Sequence, residues 1–322
     1  LARNIEGLPF LSRASDEDRG RIFADVQSAV KDAGLDDVLF IDLSEAEGLD
    51  RLLLVERHLI SKELANASGK RGVAFDRSEE KAVLINEEDH LRLQVIHPGL
   101  ALEETFEAVN RLDDQIEKGL SYAFSPQFGY LTACPTNVGT GLRVSLMIHL
   151  PALSFMKQME KVFQAIAKIG LAVRGLYGEG TQALGDFYQI SNQVTLGRTE
   201  GDLVDDLRRA IPKIVEYETR TRETWLREDR NLLEDRVMRA LGMLRHARRI
   251  SSEEMMDHLS AVRMGIHLEV VDRIDLKTLN DLFFLSQPAH LQKFVAKKLG
   301  PTERDIARAD FIRGKLPPAG KN

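Results

Sequence analysis

Four short segments of this 322-residue sequence put carboxylates, arginines or the single cysteine beside a turn. The first is Asn86-Glu87-Glu88-Asp89-His90-Leu91-Arg92, three consecutive acids at a strand end with an arginine where the next strand opens. The second is Cys134-Pro135-Thr136-Asn137-Val138-Gly139-Thr140-Gly141-Leu142-Arg143, whose glycines and hydroxyls let backbone N–H groups approach an anion. The third, Val173-Arg174-Gly175-Leu176-Tyr177-Gly178-Glu179-Gly180, again joins an arginine to a glutamate across glycines. The fourth, Arg304-Asp305-Ile306-Ala307-Arg308-Ala309, follows Gly300-Pro301, and proline suits the first position of a helix. There Arg304 and Arg308, four apart, share one helix face and could fork onto a phosphate, while Ile306, Ala309 and Ile312 line another.

Taken singly, each segment has a plainer reading: a solvated acidic turn, a tight hairpin with a buried cysteine, an ordinary loop, a charged helix face. Taken together they ask for one reaction. Arg92, Arg143 and Arg174 can neutralise a triphosphate, while Glu88, Glu179 and Cys134 supply negative charge for a cationic acceptor. In phosphoryl transfer the protein mostly positions groups and stabilises charge, so several arginines converging on phosphates are the expected equipment. Neither a P-loop nor the His-Arg-Asp signature of protein kinases is present, so the scaffold must be a different one.

The elements that must position these residues are legible in part. Helical spacing of Ile22, Phe23, Val26, Ala29 and Val30 predicts a helix over 16–33, with Ser15 as N-cap and Asp18 three residues on. Residues 38–43, 73–75, 82–86 and 91–96 read as strands, and in the last of these Arg92 and Gln94 face away from Leu91, Leu93 and Val95. Residues 52–64 show no decisive period. A helix is predicted over 102–119 with Phe106, Val109, Leu112 and Ile116 as its inner stripe, and two strands over 130–134 and 143–150. In the second of those strands Arg143, Ser145 and Met147 alternate with Val144, Leu146 and Ile148. A helix over 152–169, a hairpin-like region over 171–196, and then an almost purely helical stretch follow. That stretch runs over 202–249, from Ser251, over 277–285 and over 302–316. The pattern predicts an α+β fold, a mostly antiparallel sheet flanked by helices, with a helical C-terminal domain beginning near Asp229.

Composition narrows the class without naming a partner. A net charge of -6 and 43% hydrophobic residues give no global reason to seek a polyanion or a membrane. Arginine nonetheless outnumbers lysine 29 to 15 within the 44 basic residues, and arginine is the side chain that grips phosphate or carboxylate bidentately. The nine arginines of residues 220–249 are interleaved with five acids, which reads as a solvated helix face and not as a direct nucleic-acid surface. The longest apolar run, 144–156, is interrupted by His149 and Pro151 and is shorter than the roughly 20 residues a membrane helix needs. One cysteine and no leader-like segment point to a reducing, cytoplasmic compartment. The chain opens at Leu1 rather than Met, and we expect it to be trimmed at that end.

The acidic and cysteine segments resemble the signatures of the phosphagen (guanidino) kinases. The whole chain is more similar to the bacterial protein arginine kinases of that family, through Val55-Glu56-Arg57-His58-Leu59-Ile60-Ser61, His149-Leu150-Pro151-Ala152-Leu153, Ile190-Ser191-Asn192-Gln193 and the C-terminal Arg-Asp-x-x-Arg-Ala run. The resemblance implies the guanidino kinase catalytic fold over 1–228 and a regulatory, dimerising helical domain over 229–322. It implies phosphorylation of protein arginine by ATP, with phosphoarginine marking targets for a Clp-type protease in a stress response. Glu88 and Glu179 would orient the guanidinium and take its proton, with Cys134 against it as a thiolate. Arg92, Arg143 and Arg174 would hold phosphates, the stretches Arg143-Val144-Ser145-Leu146-Met147 and Arg174-Gly175-Leu176-Tyr177-Gly178-Glu179 would line the ATP site, and His58 would touch the nucleotide. Arg304, Asp305, Ile306, Ala307, Arg308 and Ala309 would form an allosteric phosphoarginine pocket. Mg2+ would be bound through the nucleotide and not by protein ligands. Protein substrates with exposed arginine, an activator protein and a homodimer are the implied partners. Relatives carry a Ser-Ser-Arg-Ile-Arg type segment before the Leu-Ala-Arg-Asn that opens this chain, and commonly a threonine where Leu176 stands. The N-terminal helical domain of small-molecule phosphagen kinases has no counterpart here. The alternatives are a metabolite guanidino kinase and a catalytically silent phosphoarginine reader.

Overall fold

Ser15 caps the first helix, α1 (Asp16–Asp32), in this computed structural model, which describes residues 1–33, 37–175 and 183–318. The Ser15 hydroxyl accepts the Asp18 N–H and the Asp18 carboxylate accepts the Ser15 N–H, satisfying reciprocally two amides near the helix start. The buried face is the predicted one, Ile22, Phe23, Val26, Ala29 and Val30.

The helix covers one face of a five-stranded sheet. Its strands are β1 (Ala2–Arg3), β2 (Leu39–Asp42), β3 (Gly72–Phe75), β4 (Lys81–Ile85) and β5 (Leu91–Val95), in the order β1-β5-β4-β3-β2. All the pairings are antiparallel. Alternation then sorts the side chains. Ala74, Val83, Ile85, Leu91 and Leu93 pack with α1 and with Val109, Leu112 and Ile116, a stripe that belongs to the helix Leu102–Glu117. Val73, Phe75, Ala82 and Leu84 pack on the opposite face with Leu54, Val55, Leu59 and Leu64. Those residues come from and around two short helices, α2 (Gly48–Glu56) and α3 (Lys62–Asn66), and the Leu102–Glu117 helix is α4. Arg92 sits opposite Leu84 and Gln94 opposite Ala82, so both belong to the α2 and α3 face. Residues 52–64 lack a single period because His58, at φ 58°, turns left-handed and separates the two helices. At Gly72 a Cβ would lie 2.7 Å from the Phe23 ring and 2.9 Å from the Ile41 carbonyl, so the α1–sheet contact demands glycine there.

Two predicted elements differ in this part of the chain. Of the expected 130–134 strand only Tyr130 falls in a paired strand, β7 (Gly129–Tyr130), which pairs with β6 (Phe124–Ser125). Beyond it the Ala133 N–H goes to a side chain instead of a neighbouring strand. The next strand, β8, spans Ser145–His149, shorter than the predicted 143–150.

By compactness, residues Leu1–Ser145 with Ser191–Arg209 form one unit and Leu146–Ile190 with Ala210–Asn322 another, while the composition shift at Asp229 falls at a junction between two helices. The second unit draws on β8, α5 (Pro151–Phe155), α6 (Met159–Ala167), β9 (Leu171–Gly175) and β10 (Phe187–Asn192), the three strands ordered β8-β10-β9. It continues with the part of α7 (Glu200–Glu228) from Ala210 onward, α8 (Arg230–His246), α9 (Ser252–His267), α10 (Leu276–Leu285), α11 (Pro288–Phe294) and α12 (Pro301–Lys315). The predicted 152–169 helix is two helices, because Lys157 at φ 55° breaks it. The 202–249 stretch is likewise two, parted where the Asp229 carboxylate accepts the Leu232 N–H and caps α8. The helix α11 has no counterpart in the prediction, although Pro288 marks its start. The core of this unit gathers Leu233, Val237, Leu259, Val262, Leu282 and Ile312, with Trp225 stacked on Phe155 at 4.3 Å. Ile306 is exposed and does not share a buried face with Ala309 and Ile312. No described helix is long and apolar enough to cross a membrane.

Candidate active site

The acidic turn between β4 and β5 divides its residues by role. Asn86, left-handed at φ 58°, donates through Nδ2 to the carbonyls of Arg19 (2.9 Å) and Lys70 (2.8 Å) and so anchors the turn. Asp89 is buried, and its Oδ1 accepts both the Asn4 Nδ2–H and the Ala133 N–H at 2.6 Å. His90 is buried as well. Its Nδ1 accepts the Ile5 N–H at 3.0 Å, so the proton sits on Nε2, which donates to the Pro9 carbonyl at 2.9 Å. Burial pushes the His90 pKa below the ordinary imidazole value and keeps the ring neutral. Glu88 alone of the turn points outward, 3.6 Å from Arg92, whose nearer partner is Glu87 at 2.6 Å.

The cysteine turn is built against this one. Its approach, Ala133, hangs on Asp89, and the Thr132 hydroxyl donates to the Cys134 carbonyl at 2.8 Å. Cys134 is half-buried with Sγ 3.0 Å from the Thr136 hydroxyl, at the head of a 3-10 turn over Pro135–Asn137. The Thr195 hydroxyl lies 3.0 Å from the Thr136 carbonyl and 2.7 Å from that of Val138. At Gly141 (φ 64°) a Cβ would come within 2.6 Å of the Ala2 carbonyl and 2.7 Å of Arg3 Nη1. Arg3 Nη1 donates to Thr140 O at 2.9 Å, while its Nε and Nη2 grip Asp113 and its guanidinium lies 3.6 Å from the Tyr130 ring centroid. The first residues of the chain therefore fasten both turns: Asn4 the acidic one, Arg3 the glycine end of the other.

Arg143 is held by its neighbours. Asn192 accepts the Val144 N–H through Oδ1 (2.8 Å) and donates through Nδ2 to the Leu142 carbonyl (3.1 Å), clamping the residues on both sides. The exposed Arg143 side chain donates to the Ser191 hydroxyl at 3.3 Å. The predicted alternation holds: Arg143, Ser145 and Met147 are exposed, Val144, Leu146 and Ile148 less so. His58 follows α2, its carbonyl accepting the Gln94 side chain at 2.7 Å, so it stands on the same sheet face as Arg92. Burial lowers the His58 pKa. Arg174 and Gly175 end β9 in the second unit. Leu176, Tyr177, Gly178 and Glu179 lie outside the described residues.

The C-terminal cluster is not the exposed fork expected from i,i+4 spacing. Arg308 is 1% exposed, its Nε donating to Ser286 O (2.9 Å) and its Nη1 to Ile250 O (2.8 Å) and Asp305 (2.9 Å). Arg304 is half-buried and donates to the Leu299 carbonyl at 3.3 Å. The helix is rotated so that Arg308 enters the core beside Ala309, which spacing alone does not reveal. Sequence reasoning also passed over Arg3, Asn4 and Thr195, whose signal is positional and invisible before the turns meet.

The donor set suits a nucleotide: an exposed arginine on a clamped segment leading into β8 and a second arginine beside an outward carboxylate. Among the described residues no three His, Cys, Asp or Glu side chains could together hold a metal ion.

Residues 21–221 match the ATP:guanido phosphotransferase C-terminal catalytic domain, and residues 230–322 the Protein-arginine kinase McsB C-terminal domain. The protein-arginine kinase of Halothermothrix orenii is 45% identical over 316 residues, covering 98% of this chain and 90% of the relative. That of Bacillus subtilis is 44% identical over 319 residues, covering 98% and 88%. Among solved structures, the duplicated taurocyamine kinase from Schistosoma mansoni with transition state analog components aligns with a TM-score of 0.61 at 27% identity. It covers 68% of this chain and 32% of its own. A lombricine kinase aligns with a TM-score of 0.58 at 27% identity, over 68% of this chain and 64% of its own. With a guanidino kinase catalytic region and a helical C-terminal region matched in turn, this chain belongs to the ATP:guanido phosphotransferases, in their protein-arginine kinase branch.

Proposed function

We propose that the enzyme transfers the γ-phosphoryl group of ATP to the guanidino group of arginine side chains in proteins. The observation that carries the chemistry is the shared Asp89 carboxylate, which ties the Glu88 turn to the Cys134 turn. A guanidinium has a pKa above about 12, so no carboxylate deprotonates it in the ground state. The proton leaves as the N–P bond forms and the bond from the γ-phosphorus to the β-phosphate oxygen breaks, releasing ADP. Glu88 and Glu179 are assigned to hold the guanidinium and receive that proton. Cys134 is assigned to lie against the cation, its sulfur steadied by the Thr136 hydroxyl. Arg92, Arg143 and Arg174 are assigned to the phosphates, and His58 with Val144–Met147 and Gly175–Gly178 to the rest of the nucleotide. Magnesium would supply charge neutralisation on the β- and γ-phosphates.

Residues 1–228 are assigned to catalysis and 229–322 to regulation and dimerisation, with Arg304, Asp305 and Arg308 as a phosphoarginine sensor. A cytoplasmic setting, an activator and delivery of marked proteins to a Clp-type protease complete the reading. The test is incubation with ATP, magnesium and a protein acceptor, followed by detection of acid-labile phosphoarginine. Phosphorylation of free arginine or creatine alone would replace this reading with a metabolite kinase. Phosphoarginine binding with no turnover would replace it with a reader.

A further inference from the structure

We infer that Ser260, on α9, is a positioning residue for this phosphoryl transfer, acting through Asp186 on the segment between β9 and β10; the inference rests on the reaction proposed above. Three side chains of the second unit, far apart in sequence, form a chain of hydrogen bonds. Asp186 Oδ2 accepts the Ser260 hydroxyl proton at 2.6 Å. A serine has one such proton, so at 2.8 Å it is His149 Nε2–H that donates to Ser260 Oγ. The Asp186 carbonyl accepts the N–H of Leu150 at 2.9 Å, and Leu150 adjoins His149, so the chain closes into a ring with Ser260 at its apex. Ser260 is 0% exposed, and the His149 ring lies 4.8 Å from that of Phe187.

Both ends of the ring reach segments assigned to the reaction. The turn over Leu184–Asp186 is seated on α9: Gly185 is left-handed at φ 60°, and a Cβ on it would be 2.9 Å from the Met256 carbonyl. In sequence, that turn closes the segment that carries Glu179 and leads into β10. At the other end, His149 terminates β8, whose Ser145–Met147 stretch is assigned to the nucleotide. The region after it is held in turn by α7. Glu218 accepts the N–H groups of Ala152 (3.0 Å) and Leu153 (2.9 Å), and Arg222, bonded to Glu218 at 2.5 Å, donates to the His149 carbonyl at 3.4 Å. This accounts for the His-Leu-Pro-Ala-Leu motif, whose histidine and amides are anchors. One hydroxyl on a C-terminal helix thus joins the end of the strand assigned to the nucleotide to the turn that follows, in sequence, the segment bearing Glu179. Removing it leaves a half-buried acceptor and a half-buried donor without that partner, and the turn without its tether.

The test uses the full chain. In Ser260→Ala, kcat should fall by about 10- to 100-fold through misalignment while the KM for ATP stays within about twofold. Asp186→Asn, whose amide oxygen still accepts from Ser260, should keep most of the rate. Hydrogen exchange in Ser260→Ala should quicken at Leu150 and residues 183–190 and stay unchanged in α8 and α10. Should Ser260→Ala fail to fold, Asp186→Ala against Ser260→Thr carries the same comparison. A kcat within about twofold of the parent, or quickened exchange spread equally through α8, α9 and α10, overturns the inference. If the parent itself phosphorylates no protein arginine, the reading of the reaction fails. The exchange pattern then decides alone whether Ser260 tethers this segment.

Discussion

The Asp89 carboxylate accepts the Ala133 N–H at 2.6 Å, joining the residue after Glu88 to the residue before Cys134. The two turns that bear the proposed acid–base and thiol groups are therefore not independent. They share a buried anion that also takes the Asn4 side chain, so a shift in one turn is felt in the other.

Replacing Asp89 should show this coupling. Asp89→Ala strands the buried Asn4 side chain and removes the acceptor of the Ala133 N–H, which costs about 1 to 3 kcal/mol of stability. The urea midpoint should fall, and kcat should fall with it even under conditions where the variant is fully folded. Asp89→Asn keeps an acceptor oxygen and should recover part of both. Equal midpoints for Asp89→Ala and the parent would remove the coupling.

Glu88→Gln should separate chemistry from folding. Glu88 is exposed, with Arg92 at 3.6 Å, and surface changes of this kind stay within about 0.5 kcal/mol. A proton acceptor at the transferring nitrogen is worth about 100- to 10,000-fold in rate. We expect kcat to drop on that scale at an unchanged melting temperature, measured as phosphoarginine formed on a protein acceptor.

Arg143 should behave as a phosphate ligand that lysine does not replace. Its planar fork is aimed by the Asn192 clamp on Leu142 and Val144, and a point charge on a flexible stem does not reproduce that geometry. Arg143→Lys should therefore raise the KM for ATP and lower kcat nearly as much as Arg143→Ala. Steady-state kinetics against ATP concentration would show it.

Arg308 and Arg304 should diverge. Removing the buried Arg308 leaves the Asp305 carboxylate and the Ser286 and Ile250 carbonyls without their donor, a loss of about 3 to 5 kcal/mol for breaking a buried pair. Arg304→Ala should lower the melting temperature far less. A thermal scan without any phosphoarginine present decides it, because a residue that served only as a ligand contact would leave that scan unmoved.

Stability should fall on mild acidification. Burial lowers the pKa of His90, and burial followed by Arg222, Arg263 and His267 lowers that of His149. As pH falls below about 6.5 the unfolded chain takes up protons that the folded chain refuses. The stability these rings support is complete above that value and is lost as pH descends toward their lowered values. Glu200 and Asp257, raised by burial, act with the opposite sign nearer the carboxylate range. The urea midpoint should be lower at pH 6.0 than at pH 7.5, and His149→Gln should narrow the gap.

Alternation and helical spacing were enough to place α1, β3, β4, β5 and α4 within a few residues, because one face of each is apolar and local pattern reports burial. They failed where a single residue turns left-handed, as at His58 and Lys157, since neither asparagine nor glycine advertises the break. They failed again over 130–134, where the backbone finds the Asp89 side chain instead of a strand, a partner 44 positions away.

Residue type and order by themselves determined the chemistry: carboxylates, arginines and one thiol beside turns, on a chain whose motifs mark a guanidino kinase. Only the tertiary structure decided which of the charged residues work as fasteners. Asp89, His90, Arg3 and Arg308 look in sequence like any other ionisable groups. Folding buries them, and a buried charge or imidazole must be spent on fixed partners, so burial that depends on contacts distant along the chain turns these groups into the frame that holds the exposed ones.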